Sequence, residues 1–177
     1  MDGAQQFAVV SSRLRGIVPE SRLTQTANMK VIGNISAILE HKDRQIWAIA
    51  PEATVFDAIR LMSSKNVGAL VVLERERLAG IISERDYTRK VILKGKSSRD
   101  TEVREIMSTP VVVVSPEHSV EECMRLVTEH RVRHLPVLDR DRVVGVVSIG
   151  DLVKWIISAQ STTINQLEGY ITGQYPG

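Results

Sequence analysis

The sequence predicts an α+β fold in which one strand-helix-strand-strand-helix unit occurs twice and the two copies pack as a pseudo-two-fold pair. The first observation behind this is an ungapped repeat: an offset of 65 residues carries Pro51-Glu52 onto Pro116-Glu117 and Asp86 onto Asp151, with 14 of 36 aligned positions identical. Two copies that share so many positions share one backbone. The second is that hydrophobic periodicity switches between helical and strand spacing inside each copy, at matching places. The third is size, because a unit of this length buries too little surface alone and needs its twin as the second apolar layer.

The elements follow in order. Residues 1–29 are polar and weakly periodic and read as a flexible leader. From Lys30 to Lys42, Ile35, Ile38 and Leu39 fall at helical spacing, and the segment resembles Val103–Met107 ahead of the second copy, so both read as short introducing helices. Trp47–Ile49 and Val111–Val114 read as short strands. Thr54 and Ser119 are N-cap residues for helices whose inner faces are Val55, Ala58, Ile59 and Met62, and Val120, Cys123, Met124 and Val127. Val67–Leu73 with Leu78–Ile82, and Val132–Leu138 with Val143–Val147, read as hairpins turning at the charged tetrads Glu74-Arg75-Glu76-Arg77 and Asp139-Arg140-Asp141-Arg142. A helix closes each copy, from near Glu84 to Leu93 and from near Ile149 to Ser158. The expected organisation is a leader over 1–29, a first repeat with its introducing helix over 30–98, a second repeat over 99–160, and a polar tail over 161–177.

Composition excludes several classes of function. A net charge of +2 does not demand a polyanionic partner. The basic stretch from Arg85 to Arg104 has Tyr87 as its sole aromatic residue, too little for a base-stacking platform, so no nucleic-acid partner is expected. No apolar run is long enough to span a bilayer, and a single cysteine, Cys123, fits a reducing compartment with the cytoplasm as default. The four histidines lack metal-ligand spacing, and neither a Gly-x-Ser-x-Gly elbow nor a phosphate-binding Gly-x-x-x-x-Gly-Lys-Ser/Thr loop is present. The chain therefore reads as a non-enzyme with no catalytic cofactor and no metal.

The chemistry concentrates in Gly80-Ile81-Ile82-Ser83-Glu84-Arg85-Asp86 and its counterpart Gly145-Val146-Val147-Ser148-Ile149-Gly150-Asp151. A Ser followed three residues later by Asp at a strand-to-helix junction can be a capping box and nothing more. The same junction also suits a nucleotide: the helix N-terminus offers free N–H groups to phosphate, and a carboxylate one turn in can accept both hydrogens of a ribose diol. Gly80 and Gly145 would allow close approach.

These two heptapeptides, at one offset within matching repeats and supported by Arg133-His134-Leu135-Pro136-Val137, make the chain resemble a tandem pair of CBS domains, a Bateman module, over about residues 44 to 158. The resemblance implies that Asp86 and Asp151 hold ribose hydroxyls and that Ser83 and Ser148 hold ribose or phosphate oxygens. It places adenine in an apolar cleft, which points to Trp47, Ala48 and Ile49 in the first copy and to Thr109, Val111 and Val112 in the second. It also implies a homodimer and a regulatory role, with AMP, ADP, ATP or NAD as ligand. Trp47 reads equally well as core packing.

Departures from symmetry point to unequal sites. Arg131, Arg133 and His134 stand where the first copy has Asn66, Gly68 and Ala69, and Arg85 stands opposite Gly150, so the charge available to phosphate is one-sided. Alternating strand residues such as Arg131 and Arg133 can also simply face solvent. The reading that emerges is a stand-alone module signalling ligand occupancy through a conformational or dimer-surface change, with an unidentified protein target. A ligand-free structural dimerisation module acting through a protein partner is the alternative.

Overall fold

A computed structural model of the chain describes residues 33–42 and 45–159, and the expected leader and tail lie outside the described residues. The elements are α1 (Ile35–Glu40), β1 (Ala48–Ile49), α2 (Val55–Lys65), β2 (Ala69–Glu74), β3 (Arg77–Ser83), α3 (Glu84–Lys90), α4 (Val103–Ile106), α5 (Val120–His130), β4 (His134–Asp139), β5 (Arg142–Ser148) and α6 (149–159).

The duplication is carried into the backbone. Thr54 and Ser119 accept from the amides of Asp57 and Glu122 and so start α2 and α5, while Asn66 and Arg131 end the same helices in the left-handed conformation. Val55, Ala58 and Met62 are buried on α2, and Val120, Cys123 and Val127 on α5. Ile59 and Met124 are only partly buried. The hairpins β2–β3 and β4–β5 are antiparallel and equivalent pair by pair, down to a register irregularity at Val72/Leu73 and at Val137/Leu138. Each charged tetrad closes its hairpin through its outer residues, Glu74 with Arg77 and Asp139 with Arg142.

One expected strand is not formed. β1 pairs in parallel with β2 at Ala48–Val71 and Ile49–Val72, but the Val111–Val114 segment keeps only the equivalent of the second pair, Val114 with Val137. The amide of Val114 donates to Pro136, and that of Leu138 donates back to Val114.

The two introducing helices cross over. α1 precedes the first repeat in the chain, yet Ile35, Ile38 and Leu39 pack with Val114, Val120, Leu135 and Leu152 in the core of the second. The amides of Ile35 and Ser36 donate to His118 and Pro116. In the mirror arrangement, Val103 and Ile106 of α4 pack with Val55, Met62, Leu70 and Ile82 in the core of the first repeat, and the amides of Val103 and Arg104 donate to Ala53 and Pro51. Each repeat thus completes its core with the helix that introduces the other.

Candidate functional site

The crossover brings a foreign segment to each Gly-x-x-Ser-x-x-Asp junction. At the first, Met107 lies against Gly80, where an added Cβ would stand 2.5 Å from its sulfur, and Ser108 pairs with Ile81 through both backbone hydrogen bonds. At the second, Leu39 lies against Gly145, with 2.6 Å between the equivalent points. Both glycines are therefore sites of close approach, by side chains from the crossing segments.

Both Ser/Asp pairs form capping-type geometry. Ser83 Oγ accepts from the amide of Asp86 and donates to Asp86 Oδ2, and Oδ2 also accepts from the Ser83 amide. Ser148 and Asp151 repeat this, at 3.2 Å, 2.7 Å and 2.8 Å. The difference is in the rest of each carboxylate. Asp86 Oδ1 accepts from Ser108 Oγ at 3.0 Å and from Lys90 Nζ at 2.8 Å, one helical turn on, and the side chain is 13% exposed. Lys90 also donates to the Ile106 carbonyl. Position 155, the second-repeat equivalent of Lys90, is Trp155, an aromatic ring packed edge-on to His41. Asp151 instead takes its cation from the crossing segment: Lys42 Nζ lies 2.6 Å from Oδ2 and 3.2 Å from the Val146 carbonyl. Asp151 is 24% exposed, and among the described residues its Oδ1 makes no hydrogen bond.

Burial acts to raise the pKa of both carboxylates. It is outweighed by the hydrogen bonds of Lys90, Ser83 and Ser108 at Asp86, and of Lys42 and Ser148 at Asp151, so both stay below the ordinary 3.8. At neutral pH each is an anion with a lysine beside it.

A cleft of about 350 Å³ opens beside the second junction, a volume within the range of small-molecule sites. Its walls come from three places: Leu39, Lys42 and Gln45 of the crossing segment; Trp47 and Asn66–Ala69 of the first repeat; and His134, Gly145, Val146 and Ser148 of the second. Trp47, with Lys65 Nζ 4.2 Å from its ring centre, and Ser148 therefore share one cleft. Of Trp47, Ala48 and Ile49, expected in the first copy's pocket, Trp47 lines this cleft beside the second junction, while Ile49 packs on the first core and Ala48 is not among the cleft-lining residues. The segment leading to Thr109, Val111 and Val112 passes the first junction instead; Thr109 is exposed, and Val112 packs on the second core.

The basic residues divide. Arg85 crosses between repeats, but it donates to the Arg131 carbonyl at 3.1 Å. Arg131 is the left-handed cap of α5, and Arg133 is exposed. None of the three is among the cleft-lining residues. His134 lines the cleft, but burial first, and then the Lys42 charge, hold its pKa below 6.5, so it presents a neutral ring at neutral pH. Lys42 and Ser108, the two partners brought by the crossing segments, were not singled out in the sequence. Lys90 was within reach of a sequence argument, being four residues from Asp86 on a helix.

Burial, assisted by the Glu122 charge, pushes the Cys123 thiol up to about 11, which makes it an inert core residue. No group of metal-ligating side chains occurs among the described residues, nor does any helix there have the length and apolarity to cross a membrane.

Comparison with known proteins agrees with the architecture. The CBS domain family model matches residues 38–92 and 103–158. The CBS domain-containing protein CBSX3, mitochondrial, of Arabidopsis thaliana is 39% identical over 169 residues, spanning 88% of this chain and 82% of its own length. A putative signal-transduction protein with CBS domains from Burkholderia ambifaria superposes with a TM-score of 0.70 at 48% identity, over 72% of this chain and 96% of that one. The CBS domain pair of protein MJ0100, solved with 5-methylthioadenosine and S-adenosyl-L-methionine, has the same fold at a TM-score of 0.65 and 20% identity, over 72% and 98% of the two chains. With two matched domains, shared order and shared register, the chain belongs to the CBS domain family as a tandem pair.

Proposed function

We propose that this CBS pair is a regulatory module that binds an adenine nucleotide, AMP, ATP or NAD, in the cleft beside Ser148 and Asp151. The observation that carries the reading is the joint construction of that cleft. Trp47 from the first repeat and Ser148 from the second line one space of nucleoside size, and Asp151, hydrogen-bonded to the lining residues Ser148 and Lys42, keeps Oδ1 open for a ribose diol among the described residues. The adenosine compounds held by the MJ0100 pair show that this fold can accept such ligands.

The two motifs take different roles in this reading. Asp86 is fully engaged by Ser83, Lys90 and Ser108 and serves as a structural cap. The second motif is the binding one. Because its cleft has walls from both repeats, a ligand there couples their relative setting, which is the step that turns occupancy into a signal. Output passes through a partner protein or a dimer surface. Ile149 and Val153 put exposed apolar side chains one turn apart on α6, a face suited to a second copy of the chain. A monomer mass by light scattering at micromolar concentration would count against the homodimer. The buried thiol of Cys123 suits a reducing compartment such as the cytoplasm.

Native mass spectrometry of protein purified without added nucleotide, together with thermal melts in millimolar AMP, ATP and NAD, tests the reading. A bound adenylate mass or a raised midpoint is expected. Absence of both with every nucleotide leaves the structural dimerisation module as the function.

A further inference from the structure

We propose that Lys42 is an exchange residue of the second-motif cleft, moving between Asp151 and a ligand phosphate, and that it sets a preference for phosphorylated adenine ligands over adenosine. The inference rests on the nucleotide-binding reading above.

Three observations converge on this lysine. Among the described residues that line the cleft it is the one lysine or arginine, and His134, the other basic side chain among them, is neutral at neutral pH, so Lys42 is placed to serve as countercharge to a phosphate entering the cleft. The same ammonium is bound to the carboxylate that ribose would use, at 2.6 Å, and among the described residues Asp151 has no cation on its own helix like the Lys90 that sits on Asp86. Lys42 also lies outside both repeats' hairpins, on the segment running from α1 to β1, and its side chain is partly exposed.

A ribose diol and an ammonium compete for one carboxylate. Adenosine whose diol takes both oxygens of Asp151, rather than the open Oδ1 alone, displaces Lys42 from Oδ2 and offers the freed ammonium nothing in return, leaving a charge without its partner. A nucleotide offers a phosphate, so the ammonium exchanges one charge-assisted bond for another. The ion pair therefore penalises the phosphate-free ligand and spares the phosphorylated one. At the first junction no such exchange is available, because Asp86 is held by a lysine on its own helix and by Ser108.

Isothermal titration calorimetry of the full chain with AMP and with adenosine reads this directly. Wild type should prefer AMP. In Lys42→Met, AMP should bind about tenfold more weakly or worse while adenosine binds as well as before or better, so the ratio of the two dissociation constants collapses. Lys42→Arg keeps the charge and should restore most of the preference, which separates loss of charge from loss of folding. An unchanged AMP-to-adenosine ratio in Lys42→Met, in a chain whose wild type binds AMP, overturns the role of Lys42 alone. A wild type that binds no adenine nucleotide overturns the binding reading and this role with it.

Discussion

The imidazole of His134 faces Gly68 across the cleft: a Cβ built on Gly68 would stand 3.5 Å from His134 Cε1. These residues come from neighbouring positions of the aligned repeat, since Gly68 aligns with Arg133 and Ala69 with His134. Small residues of the first copy, Gly68 and Ala69, thus line the cleft together with His134 of the second, where the repeat carries Arg133 and His134 at the aligned positions. Gly68→Ala adds a methyl at ordinary contact distance and should leave folding and binding nearly unchanged. Gly68→Arg, which restores the repeat's symmetry, should fill the space and lower nucleotide affinity by about tenfold or more. Calorimetric titration of the two variants checks both expectations, and full affinity in Gly68→Arg would place the ligand elsewhere.

The aspartates should separate stability from binding. Asp86→Ala removes a helix cap and leaves Lys90 and Ser108 without their acceptor, so a loss of about 1–2 kcal/mol is expected in urea denaturation, with ligand affinity little changed. Asp151→Ala loses a similar cap and a half-exposed ion pair of small value, and its main effect should be on nucleotide binding. The reverse pattern would move the site to the first junction.

His134 gives the stability curve a feature of its own above the carboxylate range. Its folded pKa lies below the ordinary 6.5, through burial first and the Lys42 charge second, with Arg133 also lowering it and Asp151 and Glu84 pulling the other way. As pH falls below 6.5 the unfolded chain takes up a proton that the folded chain does not. Stability is therefore complete above that pH and declines below it, and it levels off once the folded ring is also protonated. Asp86 and Asp151 contribute a separate loss only below 3.8. Denaturant midpoints measured across this range should fall in wild type and fall less in His134→Gln. Equal slopes would show that another group titrates.

Ile35 lies ahead of the first repeat in the chain, but its side chain belongs to the second repeat's core. Ile35→Ala should cost about 3 kcal/mol, as a large-to-small change at a fully buried site does. Amide hydrogen exchange should quicken first in α5, β4 and β5 and least in β2 and β3. Loosening concentrated in β2 and β3 would contradict the crossover.

Most of the fold was legible because its signals are local. Thr54 and Ser119 as caps, the α2 and α5 inner faces, and the charged tetrads as hairpin turns all depend on neighbours within a few residues, although the outer tetrad residues extend the strands instead of turning. The Val111–Val114 strand failed on pairing, since among these residues only Val114 meets a partner, Val137. The crossover was hidden by the symmetry that revealed the repeat. Ile35, Ile38 and Leu39 are spaced like Val103, Ile106 and Met107, so either introducing helix fits either core by pattern, and no local rule assigns them. That concealment extends to the site. The motif aspartates can be read from seven residues, whereas Lys42 is 109 positions from the carboxylate it serves.

The exchanged helices also mean that the unit copied in the sequence is not the unit that stands in space. A cut in the chain near Gly95 would leave two peptides, each holding a helix that the other one's core requires, and reassembly would have to be mutual. In the intact protein the linker from α1 to β1 is a thread stitched between two cores. Lys42 sits on that thread, between a helix in the second core and a strand in the first repeat's sheet.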